Sequence, residues 1–135
     1  METSEDAFQE LLAHLFARTN KMLGHQGYAY PLGLILNADG KVEVLVSVVE
    51  KAEQMEEVVN AMQSAMVTKV AAGSAVACCT SVPALDGKSI VAFLEDREND
   101  CSKVSIPIAG DPPSLDIENL EVEDGLVRVF PVVSD

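Results

Sequence analysis

The order of hydrophobic periods in this chain predicts an α+β domain. Its expected core is a central antiparallel sheet of about five strands carrying two amphipathic helices, in the order α-β-β-α-β-β-β. A C-terminal β or irregular arm follows. Three observations carry that prediction. Two stretches of helical period each stand ahead of runs with strand period. Turn residues separate the strand runs: Asn37-Ala-Asp-Gly40, Pro83-Ala-Leu-Asp-Gly87 and the charged stretch at 96–100. The 135 residues, 48% hydrophobic and 23% charged, have the size and composition of one globular domain.

The first helix is marked by Phe8, Leu11, Leu12, Leu15, Phe16, Thr19, Met22 and Leu23, which repeat at i, i+3, i+4 and i+7. Thr3 or Ser4 can cap its start, Glu5 and Asp6 suit the positive end of the helix dipole, and Gly24 is the expected stop. His14 is expected at the edge of its buried face. Residues 30–36 are almost all apolar and read as a buried strand. Residues 41–49 alternate, with Val42, Val44, Val46 and Val48 on one face. With the Asn37–Gly40 turn between them, these runs make a β-hairpin.

The second helix is expected over 51–72, with a stripe of Met55, Val58, Val59, Met62, Met66 and Val70, Ala65 filling in, and Gly73 as its end. Residues 75–82 are small and apolar and suit a central strand. Residues 89–95 and 101–108 read as a second hairpin around the charged turn. The composition changes after Gly110, so the domain is read as residues 1–110. Residues 111–135 form an acidic arm packed on the same domain or on a partner subunit. Between 111 and 124 there are six acids (Asp111, Asp116, Glu118, Glu121, Glu123, Asp124) and no base. Asp124-Gly125 could turn a last hairpin from 117–122 to 126–132. Alternatively the arm lies irregularly across the sheet.

The balance of 9 Lys+Arg against 22 Asp+Glu gives a formal charge of −13. Such a surface repels nucleic-acid backbones and anionic membranes and attracts basic proteins. With no Trp and few aromatic residues, there is no surface for stacking bases. The acidic start lacks the basic and apolar pattern of a leader, and no run reaches the ~18 apolar residues of a membrane span. Cys78, Cys79 and Cys101 are an odd set without Cys-x-x-Cys. The adjacent pair points to opposite faces of a strand, so reduced thiols in a cytoplasm are expected.

No motif supplies chemistry. His14 and His25 have no metal-spaced partner. Cys78 and Cys79 sit in a core-strand context rather than beside a base. There is no Gly-x-Ser-x-Gly, P-loop or Gly-x-Gly-x-x-Gly. Glu95, Asp96, Arg97, Glu98 and Asp100 read as a solvated turn rather than paired catalytic carboxylates or a calcium loop. Met55, Met62 and Met66 read as core rather than an adaptable docking stripe. No metal, cofactor or catalytic residue is expected.

The run Pro31-Leu-Gly-Leu-Ile-Leu-Asn-Ala-Asp-Gly-Lys-Val42, with Phe93-Leu-Glu-Asp-Arg97 and Val104-Ser-Ile-Pro-Ile108 downstream, resembles a group of small uncharacterised bacterial proteins. Their hairpin precedes a "LEHRDG"-like turn; here Asp96 stands in the histidine position and Glu98-Asn99 replaces the simpler turn. The resemblance spans roughly residues 7–110 and brings no activity with it. The element order is also similar to roadblock/longin and profilin-like domains. A domain similar to these would dimerise through the second helix or the second strand, but fold alone does not fix function.

The function expected is a non-catalytic interaction or regulatory module forming a homodimer. The alternatives are an acidic immunity or inhibitor protein for a basic partner, and a small ligand carrier or enzyme. The alternative resting on charge draws on the segment after residue 94, with 11 acids against 3 bases (−8). The residues expected to make contact are Glu95, Asp96, Arg97, Glu98, Asp100, Asp116, Glu118, Glu121, Glu123 and Asp124. The ligand carrier would use a pocket between the first helix and the sheet, with His14, His25 and the 95–100 turn as its candidates.

Overall fold

The computed structural model describes residues 4–48, 51–84 and 86–130. The expected Thr3 cap and the end of the expected last strand lie outside them. The fold is α+β, with the element order that the periods predict. Helix α1 (Ser4–Gln26) is followed by strands β1 (Leu32–Asn37) and β2 (Val42–Val46). A 3-10 turn over Ala52–Gln54 leads into helix α2 (Met55–Ala71), and strands β3 (Ala75–Pro83), β4 (Ser89–Asp96) and β5 (Cys101–Ala109) follow. Two short strands, β6 (Ser114–Leu115) and β7 (Glu121–Asp124), come next, separated by a 3-10 turn over Ile117–Asn119. No described helix is long and apolar enough to cross a membrane.

All pairings are antiparallel, in the order β2-β1-β3-β4-β5, with β6 and β7 both on the outer edge of β5. Alternation then divides the core into two layers. On one face, Leu34 and Leu36 of β1, Cys79 of β3, Ile90 of β4 and Ile106 of β5 pack under Leu11, Leu15 and Leu23 of α1. On the other, Ile35 and Cys78 pack under Met62, Met66 and Val70 of α2. The adjacent cysteines thus enter opposite layers, as strand geometry requires.

Several boundaries depart from the sequence reading. Helix α1 runs through Gly24 to Gln26, because the residue that leaves right-handed space is Gly27, at φ 85°. His14 is exposed rather than at the edge of the buried face, and so is Ala65. Helix α2 starts at Met55, after the 3-10 turn. Gly33 gives the Met66 side chain room where α2 crosses β1: a Cβ there would lie 2.7 Å from the Met66 sulfur and push it aside.

The expected last hairpin does not form among the described residues. Residues 117–119 make a 3-10 turn, and β6 and β7 instead follow β5 back along its edge, Leu115 opposite Ile108 and Val122 opposite Val104. Asn20 of α1 anchors this return by accepting the Leu115 N–H at 2.7 Å. Gly125 then passes against the backbone of Ser102, where a Cβ would sit 3.0 Å from it. Val129 and Phe130 drop into the α2-side layer, so the apolar end of the arm completes a core instead of a strand.

Thr19 lies on the buried stripe of α1 at 1% exposure, and its hydroxyl finds no hydrogen-bond partner among the described residues. A buried hydroxyl without a partner is costly, and valine has the same shape. Thr19→Val is expected to stabilise the domain by about 1 kcal/mol. Urea denaturation measures it; an unchanged or lowered midpoint would show that the hydroxyl is satisfied.

Candidate functional site

The residues expected to make contact fall into two groups. Glu95 and Asp96, at 1% and 6% exposure, are buried at the end of β4. Glu95 alternates with Val91 and Phe93 on the α2-side face and stands opposite Cys78 across the β3–β4 ladder. Its Oε1 accepts the N–H groups of Val129 (2.8 Å) and Phe130 (2.7 Å), and Oε2 accepts that of Arg128 (3.0 Å). A buried carboxylate thus holds three successive amides that no strand partner serves. The Arg128 guanidinium lies 4.0 Å over the Phe93 ring and fixes the same segment from its solvent side.

Asp96 organises its turn. Its Oδ1 accepts from the N–H groups of Glu98 and Asp100, both at 3.0 Å, and Asn99 takes φ 67°, the left-handed value such a turn needs. One ligand oxygen each from Asp96, Glu98 and Asp100 lies within 4.8 Å of the others. The hydrogen bonds of the turn account for that convergence. Arg97, Glu98 and Asp100 are exposed.

The remaining acids line the outer edge of the sheet. Glu118, Glu121, Glu123 and Asp124 are exposed, Glu123 stands 3.9 Å from Lys103, and Asp116 accepts from Asn119 at 2.7 Å. Three of the four β7 residues are acidic, which suits an edge guarded against further strand pairing. The opposite edge, β2, differs. Lys41 C=O accepts from Asn37, and Ser47 N–H donates to Pro31, so odd-numbered residues bond β1. Val42, Val44 and Val46 then turn their N–H and C=O groups outward. Val46 is 53% and Val48 60% exposed, and the acid on this strand, Glu43, is engaged by Lys69 at 3.5 Å and Asn37 at 3.2 Å.

The cysteines are not poised for chemistry. Burial raises the Cys78 thiol far above its ordinary value, with the Glu95 charge adding to it, and burial pushes Cys79 up to about 12. Cys101 is also raised, by burial and then by Glu95, Asp96 and Asp100. None is a thiolate near neutral pH.

Two hollows flank the sheet. A wide groove of about 640 Å³ runs between α2 and the sheet, with Val91 and Phe93 on its floor, Glu53 and Glu56 on one bank and Lys103 and Arg128 on the other. A smaller cavity of about 310 Å³ lies between the C-terminal half of α1 and the β1–β2 edge, lined by Arg18, Lys21, Met22, His25, Leu32 and Val46. Of the expected pocket residues, only His25 reaches it. His14 lies about one helical turn before Arg18, outside the lining, and the 95–100 turn stands at the opposite end of the sheet, near Ala75 and Asn37. The sequence does show Arg18, Lys21 and His25 at i, i+3 and i+7, but a search for metal or catalytic spacing passes over them. Comparison of the chain with protein-family models, curated proteins and solved structures finds no match.

Proposed function

We propose that this domain is a non-catalytic interaction module that forms a homodimer by adding β2 of one copy to β2 of another. The observation that carries the reading is the asymmetry of the two sheet edges: β7 is acidic, whereas β2 is valine-rich and outward-bonding, with its last residue Val46 and the following Val48 exposed. A two-fold axis at Val44 would set Val44 against its own copy and Val42 against Val46, each pair exchanging both backbone hydrogen bonds.

Light scattering after size exclusion tests it. The full chain is expected to be a dimer, and Val46→Lys, which puts a charge on the edge, a monomer with unchanged circular dichroism. A wild-type monomer at high micromolar concentration, or a Val46→Lys dimer, overturns the reading. A second reading, an acidic inhibitor of a basic protein, is favoured by the stripe of Glu118, Glu121, Glu123 and Asp124 along the other edge. Its partner binding would weaken steeply with salt.

A further inference from the structure

The cavity between α1 and the β1–β2 edge has a charge opposite to that of the molecule. Residues 11–38 contain no Asp or Glu, although the chain carries 22 acids in all. That stretch holds Arg18, Lys21 and both histidines. Arg18, Lys21 and His25 share one face of α1, and all three line the cavity. No described carboxylate lines it, and none of these three side chains makes a hydrogen bond or ion pair with a described residue. The helix dipole accounts for a cation in the last turn of α1, where His25 stands, but fades within that turn and does not reach Arg18. The remaining walls are Met22, Leu32 and the exposed face of Val46, with Gln26, whose amide donates to the Tyr28 carbonyl, as the one other polar residue in the lining.

We infer that this cavity binds a small amphipathic carboxylate, its acid group held by Arg18 and Lys21 and its hydrocarbon chain laid against Met22, Leu32 and Val46. Arg18 offers a planar fork that matches a carboxylate, and Lys21, one turn on, a second charge-assisted donor. A volume of about 310 Å³ is at the small end of ligand pockets, which favours a medium-length chain over a nucleotide or drug-sized ligand. The mixed-charge groove beside α2 has acids and bases on facing banks and selects no one sign of ligand. The inference shares Val46 with the dimer reading, as a cavity wall here and an edge residue there, but its charged contacts, Arg18 and Lys21, lie on the helix and not on the pairing edge.

Titration calorimetry with decanoate and with decanol, backed by amide shift mapping, tests it. Decanoate is expected to bind, to shift amides of the second half of α1 and of β1–β2, and to bind at least about tenfold more tightly than decanol, the gain of one charge-assisted bond. Arg18→Ala with Lys21→Ala is expected to remove that preference while leaving the oligomeric state and circular dichroism unchanged, since both side chains are exposed. No decanoate binding, equal binding of decanol, an intact preference in the double variant, or shifts confined to α2 and β3–β5 would each overturn the proposal. So would tighter binding of a short acidic peptide than of decanoate.

Discussion

Replacing Glu95 with alanine is expected to release the end of the chain from the sheet and to cost about 3 kcal/mol or more. The carboxylate is 1% exposed and accepts three backbone amides, from Arg128, Val129 and Phe130. Hydrogen bonds to a charged group are worth about 1.5–3 kcal/mol each, and amides left buried without an acceptor add their own desolvation cost. Glu95→Gln should fall between. Its carbonyl oxygen can still accept from Val129 and Phe130, but its amino group faces the Arg128 N–H as donor against donor. Denaturant midpoints in the order wild type, Gln, Ala, with hydrogen exchange at 128–130 speeding up in the same order, are the expected result. An alanine variant as stable as wild type, with protected amides at 128–130, would mean that apolar burial alone holds the segment.

Glu95 also shows where sequence reading stops. The periods of α1, α2 and the five long strands are legible because each amphipathic face is written into consecutive residues. The opposite burial of Cys78 and Cys79 follows from strand alternation alone. Glu95 reads as the first charge of a polar turn, since its neighbours Asp96, Arg97 and Glu98 are charged. The expected strand 89–95 already puts residue 95 beside Val91 and Phe93 by alternation, but nothing in the sequence says that this end of that face is covered. The partners of Glu95 are 33 to 35 residues away, in a segment with no periodicity of its own.

The same limit applies to the arm. Apolar residues at 126, 127, 129 and 130 resemble a strand, and Asp-Gly resembles its turn. The outer edge of β5, however, is already filled by β6 and β7, and α2 leaves part of its face of the sheet uncovered. Val129 and Phe130 fill that gap, and the glycine that looks like a turn serves the close passage over Ser102. Such competition between two burial sites is settled by tertiary packing and is invisible in a local window. The cavity cations were legible in position but not in meaning: their spacing is plain on α1, while the apolar walls come from β1 and β2.

Phe130→Ala is expected to destabilise the domain by about 3–5 kcal/mol, the usual range for a buried aromatic side chain, and to expose Cys78 while Cys79 stays protected. Phe130 is 4% exposed in the α2-side layer, which also holds Cys78, Ile35 and Met66. Cys79 belongs to the α1-side layer, on the other face of the sheet from Val129 and Phe130. In a Cys101→Ser background, a thiol reagent below the unfolding transition should label the wild type slowly and both cysteines together, by global unfolding. In Phe130→Ala the Cys78 site should react first, because opening the arm removes its cover and loosens the Glu95 contacts across the ladder. Peptide mapping of the labelled protein separates the two adjacent sites. Equal labelling of Cys78 and Cys79 would show that the arm and the sheet open as one cooperative unit. Preferential labelling of Cys78 would make the arm a separable cover over one face of a sheet that stays folded beneath it.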